Sequence, residues 1–404
     1  MALPVAMLAL VILAALTIAF SVLSASEPVI ANNHLMGSQA RVLAEAGVER
    51  AIWGLQNGPD SRGIPVTGAV PTPYDGRQLI SVRSSVSNVG GFRITVTSGG
   101  EGCMSLAERC ITAVGWVPSD IASGPRSHRM IAVTAGNPQL LYRDPPAAMS
   151  ARGALQISGA SHIDASSDRS CDGKAGAVVS GSVGLDGPVV VRGGADGNDI
   201  PNEMIDANRG PVPPGAGDIV ANAAADALDR FMWSDSDIKY LRAYARTQGH
   251  YYRGNVTFDS SNKMPDGLVF VDTASGANAG PATPDADYAR VDVRDGAASD
   301  ASGIVSGWLF VNGALSINSG FRMNGLIYVQ DDIRYHGTPG GGIAGAVIVR
   351  NIRDLSSAGA ESNVLSDANI TYNCVLARTG GHRIPSRWST TPGTYRELCD
   401  SCTS

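Results

Sequence analysis

Residues 1–26 carry no charged side chain; the run MALPVAMLALVILAALTIAFSVLSAS ends only at Glu27. A helix crosses the hydrocarbon core of a bilayer with roughly 20 apolar residues, so this run is long enough to span one. Met1 opens it without the basic n-region of a secretory signal, and no small-residue cleavage pattern breaks it. Pro4 falls in the first turn, where its missing N–H costs little. The run reads as the first half of a helix that continues into water.

The continuation is EPVIANNHLMGSQARVLAEAGVERAIWGLQN, residues 27–57. Ala40, Ala44, Val48, Ala51 and Leu55 recur at three- and four-residue steps, with Leu43 and Ile52 at the edges of the stripe. Glu45 and Glu49 lie on the polar side, where Val42 and Trp53 make the pattern imperfect. Pro28 is expected to kink or interrupt the rod, and Gly58-Pro59 to stop it. At 1.5 Å per residue such a helix is about 80 Å long.

A lipid-like half followed by an amphipathic half, then a globular body, resembles the type IV pilin superfamily. The stretches ALPVAMLALVILAALTIAF and ARVLAEAGVERAIWGL are similar to PilX-like minor pilins and to the tip pseudopilins of type II secretion. The resemblance implies a leader peptide removed ahead of Met1 and a methylated Met1 as the processed N-terminus. It implies a single-pass bacterial inner-membrane location before assembly, and afterwards a place in an extracellular pilus beside other pilin or pseudopilin subunits joined through this helix. Ordinary members carry a Glu at the fifth processed position, which answers a neighbour's N-terminus; here that position is Val5. The departure implies a tip or priming subunit, acting in assembly and surface adhesion, with a surface receptor or glycan as a further partner. A plain signal anchor for an envelope protein is the simpler alternative.

Composition agrees with an exported, turn-rich body. The chain has 48 Gly and 22 Pro, with 17% charged residues. Its net charge of −6 argues against nucleic acid as a partner. Residues 1–57 form the helix. Residues 58–140 begin with a Gly/Pro-rich link to residue 76 and continue as alternating segments at Leu79–Ser84, Phe92–Thr97, Cys110–Gly115 and Met130–Thr134, an antiparallel meander.

Residues 141–404 carry a faint repeat. A Gly precedes Leu268–Val271, Trp308–Val311, Leu326–Val329 and Ala346–Val349, and Gly153–Ile157 and Gly176–Val179 look like further copies. Tyr288–Val293 is the candidate for a missing copy in the longest gap. Second, alternating strands follow at Ala314–Ile317 and Ile333–Tyr335. The fold class expected is therefore α+β: a pilin-like helix with an antiparallel sheet, then a β-rich domain read as a parallel β-helix or β-solenoid. A β-sandwich is the alternative for that domain. A helical stripe at 219–248, split at Ser234-Asp235-Ser236, interrupts it.

The 6 cysteines favour disulfides in an exported chain. Cys103 and Cys110 suit a hairpin bridge; Cys171, Cys374, Cys399 and Cys402 are further candidates with connectivity open, and redox or metal use of the Cys399/Cys402 tail is the alternative. No cofactor or metal site is expected. There is no Gly-x-Ser-x-Gly elbow, His-Glu-x-x-His or Walker loop. Gly340, Gly342 and Gly345 spell a dinucleotide fingerprint that leads into a strand, so it reads as a corner of the repeat. Asp196, Asn198 and Asp199, and Asp285, Asp287, Asp292 and Asp295, read as turn residues. The chain is expected not to be an enzyme. The competing class is a membrane-anchored, β-helical polysaccharide enzyme using Arg322, Asp331, Asp332, Arg334 and Arg350 on successive coils.

Overall fold

The computed structural model describes residues 2–58, 63–65, 68–83, 88–99, 103, 107–121, 126–168, 170–171, 173–193, 218–353, 360–385 and 388–398. The chain divides into two compact units, Met1–Gly136 with Trp388–Ser404, and Asn137–Arg387.

In the first unit a single helix, α1, runs from Ala2 to Gln56. It does not break at Pro28 as expected. The missing N–H of Pro28 removes a single backbone bond, the one to the Ser24 carbonyl, and the helix runs on through it. From Ala40 onward one face is buried: Ala40, Ala44 and Ala51 are fully covered, and Leu43, Val48, Ile52 and Leu55 nearly so. The partner surface is an antiparallel sheet in the order β1 (Ile80–Arg83), β2 (Asn88–Thr97), β3 (Glu108–Val117), β4 (Ser127–Gly136). Along β3 every second residue faces the helix. Gly115 is where the two elements meet most closely, since a Cβ there would stand 2.0 Å from the Ala40 carbonyl oxygen. Small residues in the stripe therefore set the distance between helix and sheet.

The end of the chain returns to this unit. Ser389–Thr390 and Arg396–Leu398 pair antiparallel with β4 and extend the sheet. Trp388 joins the core, its carbonyl accepting a hydrogen bond from Gln56 Nε2 at 3.0 Å. This corrects the expected assignment of the whole of 141–404 to one domain: residues after 387 belong with the helix and its sheet. Two- and three-residue strands carry no readable alternation, so nothing local in the sequence marks them.

The second unit contains β5 (Ala147–Ala151), β6 (Ala154–Ser158), β7 (His162–Asp164), β8 (Ala175–Val179), β9 (Val183–Asp186), β10 (Val190–Arg192) and β11 (Ile219–Val220). Helices α2 (Ala225–Asp229) and α3 (Asp235–Gln248) follow. Then come β12 (Tyr251–Arg253), β13 (Asn255–Phe258), β14 (Gly267–Asp272), β15 (Ala289–Val293), β16 (Ile304–Val311), β17 (Gly313–Ser319), β18 (Arg322–Val329), β19 (Ile333–Gly337), β20 (Gly342–Val349), β21 (Ala360–Ser366), β22 (Asn369–Tyr372) and α4 (Cys374–Thr379). Ser234 caps α3 in a reciprocal pair with Asp237, which is why the helical segment splits there.

The strands form two parallel sheets that the chain visits alternately. One contains β12, β14, β16, β18, β20 and β22; the other contains β13, β15, β17, β19 and β21. Strands of the first are near-continuous apolar runs because both their faces are covered. Strands of the second alternate, as in β19, where Arg334 and His336 are exposed and Ile333 and Tyr335 buried. Tyr288–Val293 does not fill a gap in the Gly-led series. Its strand belongs to the second sheet, and β14 pairs directly with β16, so that gap is one turn of chain with a longer loop. Gly153–Ile157 likewise falls in the second sheet as β6.

The stacking order departs from chain order. The last turn, β20 to β22, lies against the first, β5 to β7, through pairs β20–β5, β21–β6 and β22–β7. Beyond these lie β8, β9 and β10. The chain thus enters inside the stack, builds outward, crosses by α2 and α3, and closes back on its own beginning.

Candidate functional site

The most distinctive surface of the molecule is the first half of α1. Leu8, Leu10, Val11, Leu13, Ile18 and Phe20 are all at least 65% exposed, and Val29, Ile30 and Leu35 continue the apolar surface beyond the uncharged run. Leu10 to Gln56 meets the length and hydropathy needed to cross a bilayer. Apolar exposure on this scale marks contact with lipid or protein. Met1 and the side chain of Val5 lie outside the described residues.

Where α1 enters its sheet, Ile30, Asn33, His34, Gly37, Ser38, Arg41, Arg129 and Glu397 line a groove of about 500 Å³. Arg129 Nε sits 3.4 Å from Glu397 Oε1, and Arg41 Nε 3.2 Å from Glu45 Oε1. The two glutamates come from sequence positions 352 residues apart, and only the returning C-terminal strand brings Glu397 here.

Cys103 is bonded to Cys110, with Cα atoms 5.7 Å apart, at the turn between β2 and β3. Cys171 is bonded to Cys374, with Cα atoms 5.9 Å apart and a sequence separation of 203. That bond crosses the seam between the β7 and β22 turns. Cys399 and Cys402 lie outside the described residues.

A half-buried polar cluster flanks the seam and has no sequence signature. Asp144 accepts hydrogen bonds from Tyr372 at 2.7 Å and Tyr142 at 3.2 Å, and pairs with Lys174 Nζ at 3.0 Å. Burial, reinforced by the nearby carboxylate, pushes the Tyr142 phenol up; burial and the neighbouring Tyr142 push Tyr372 up. Both phenols stay neutral and serve as donors. Asp144 and the sulfurs of Cys171 and Cys374 fall within 4.8 Å of one another. The sulfurs are joined to each other and the carboxylate is held by Lys174, so this donor set is spent on structure. A second cluster surrounds Asp272, fully buried, which takes Arg242 through both carboxylate oxygens and accepts from Tyr251 and Asn312. It ties α3 to the sheet.

The residues of the enzymatic alternative are divided between places: Asp331 and Asp332 both lie near Tyr288. Arg322 starts β18 in one sheet and Arg334 lies in β19 of the other. Asp331 sits by Tyr288 and Arg353, whereas Arg350 reaches Gln330 at 3.3 Å. Asp285 pairs with Arg353 and Asp292 with Arg294; Asp287 accepts from the backbone and hydroxyl of Ser275, and Asp295 from the Gly320 N–H. All four carboxylates of that series are turn or pairing residues. Asp196, Asn198 and Asp199 lie outside the described residues. Gly345 lies within β20, in a strand and not at a helix start.

No family model and no curated protein matches the chain. Among solved structures, the competence-associated pilin ComZ from Thermus thermophilus aligns over 90% of this chain and 97% of its own, at 13% identity and a TM-score of 0.22. A superposition that loose carries no argument about function.

Proposed function

We propose that this chain is a type IV pilin-like subunit, held by α1 in a bacterial inner membrane and then built through the same helix into a surface filament. The observation that carries this reading is the change of surroundings along α1. Its first half is uncharged and exposed, while one face of its last stretch is buried on its own sheet from Ala40 to Leu55. A helix anchored in its own body over less than a third of its length offers the rest to lipid or to neighbouring subunits. With Met1 as the processed residue, Val5 offers no carboxylate to a neighbour's N-terminus, which favours a tip or priming position. We read the second unit as a parallel β-solenoid displayed by the filament, working in adhesion and not in catalysis. The alternating two-sheet path supports that reading, as does the placement of Arg322 and Arg334 on different sheets.

Fibres sheared from the native host, probed for this polypeptide and for methylated Met1, test the proposal. The polypeptide is expected in the fibre fraction. Its confinement to the bilayer under conditions that yield fibres leaves a plain anchored protein instead. Val5→Glu is expected to leave membrane insertion intact and to change the amount incorporated per fibre; an unchanged amount argues against the tip position.

A further inference from the structure

We infer that the exposed face of β18, β20 and β22 is a binding subsite for an acidic sugar, a uronate residue of an oligosaccharide. Arg322 takes its carboxylate there, and Asn324, Asn369 and Thr371 take its hydroxyls. The inference deepens the reading that the second unit is displayed for adhesion, and rests on it.

Strand register builds the groove. Arg322 lies opposite Gly342 and Asn324 opposite Ala344 across β18 and β20, and Ala344 lies opposite Thr371 across β20 and β22. The two-residue step along these strands puts Asn369 beside Gly342 on the same face. Met323, Ile343 and Ile370, which alternate with this set, are buried, so the set faces outward. Polar side chains thus stand on both sides of a strand whose own residues here are Gly and Ala. They are two strand spacings apart, about 9–10 Å. The hollow between them measures about 170 Å³. Pockets for drug-sized ligands begin at roughly 300 Å³, so this one suits a single ring of a longer chain. Backbone and packing do not require glycine at Gly342. Its φ is not positive, and a Cβ there would meet Asn369 at 3.5 Å, an ordinary contact. What the missing side chain leaves is the hollow itself.

The chemistry of the rim selects the occupant. Arg322 is exposed, and among the described residues its guanidinium makes one long hydrogen bond, Nη1 to the Ser302 carbonyl at 3.5 Å, and no ion pair. It is the charged residue among those lining the hollow. The Asn324 carboxamide holds no hydrogen bond among the described residues. Asn369 Oδ1 accepts from the Thr371 hydroxyl at 3.3 Å, which leaves the Asn369 amide N–H groups to donate. Carboxamides and hydroxyls both donate and accept, as sugar hydroxyls do, and a guanidinium takes a carboxylate through two parallel bonds. Acids in the adjoining turns are engaged: Asp300 accepts from the Ser302 N–H and hydroxyl, and Asp295 from the Gly320 N–H. Asp164 lies opposite Thr371 on β7, at the far side from Arg322. The ligand carboxylate therefore sits over β18 and its hydroxyls toward β22. A peptide fits less well, because all three strands have neighbours on both sides and leave no sheet edge for strand addition. No aromatic ring is among the lining residues for a nucleobase to stack on.

The test uses the full-length chain in detergent micelles and reads saturation transfer to ligand protons by NMR. The probes are short oligomers of galacturonate, glucuronate and mannuronate, each beside its methyl ester, which keeps the ring and removes the charge. Wild type is expected to bind one acidic series about tenfold or more tighter than its ester, the worth of one charge-assisted hydrogen bond. Arg322→Gln is expected to bring the acid down to the level of the ester. Gly342→Leu is expected to lose both forms by filling the hollow, with the melting temperature held. Equal binding of acid and ester overturns the carboxylate contact at Arg322. Acid binding unchanged in Gly342→Leu puts the sugar elsewhere and overturns the groove. No binding of any series overturns the subsite. Adherence of native fibres to cell surfaces, with and without this chain, is measured in parallel. Adherence that needs the chain leaves the adhesion reading standing when the subsite fails; adherence indifferent to the chain removes that reading even where the sugars bind.

Discussion

At the scale of single residues, the repeat depends on a column of glycines. Gly267, Gly307, Gly325 and Gly345 are in register across β14, β16, β18 and β20. Each has positive φ, and a Cβ at Gly325 would stand 1.7 Å from the Gly307 carbonyl oxygen. Backbone strain and overlap act together, so Gly325→Ala is expected to destabilise the second unit by more than ~3 kcal/mol, read as a shift in denaturation midpoint. Asp272→Ala should cost a similar ~3–5 kcal/mol, because it strands the nearly buried Arg242. A third case concerns pH. Burial of Asp168 works to raise its carboxyl, but hydrogen bonds from the Ser170 hydroxyl and backbone and from the Cys374 N–H outweigh it, and the net shift is downward. A carboxyl depressed in the folded state contributes stability above its unfolded pKa and loses it as pH falls through the folded value. Acid below about pH 4 should therefore loosen the start of α4, and Asp168→Asn should flatten that part of the stability profile measured by amide exchange.

At the scale of elements, the second unit closes on itself at one seam, and the Cys171–Cys374 bond spans it. Linking positions 203 residues apart restricts the unfolded chain by about 5 kcal/mol on the loop-entropy argument. The paired substitution Cys171→Ser, Cys374→Ser is expected to cost up to that amount and to expose β20–β22 to proteolysis first. An unchanged melting temperature and cleavage pattern would show that the strand pairs hold the seam without it. The Cys103–Cys110 bond closes a short turn at the start of β3, and its loss should cost less, since the closed loop is far shorter.

At the scale of the whole molecule, the two halves of α1 were legible because periodicity and charge report surroundings directly. Ala40 to Leu55 read as a packed stripe and is one. The uncharged run read as lipid-like and is exposed in the isolated chain. The Gly-led strands were legible as a repeat, since covered parallel strands write themselves as apolar runs. Other features were not. The Asp144–Tyr372–Lys174 cluster joins residues from distant turns whose types are ordinary for loops. Pro28 misled because one lost backbone bond is small against the rest of a 55-residue helix.

By itself the sequence determined the long helix, its apolar stripe from Ala40 to Leu55, the antiparallel meander and the recurrence of short strands, because each rests on local pattern. Only the tertiary structure decided that the last strands return to the first unit, that the final turn stacks on the first, and which cysteines meet across that seam. Those are pairings between distant segments, and hydrogen bonds between backbones carry no residue code that a linear reading can recover.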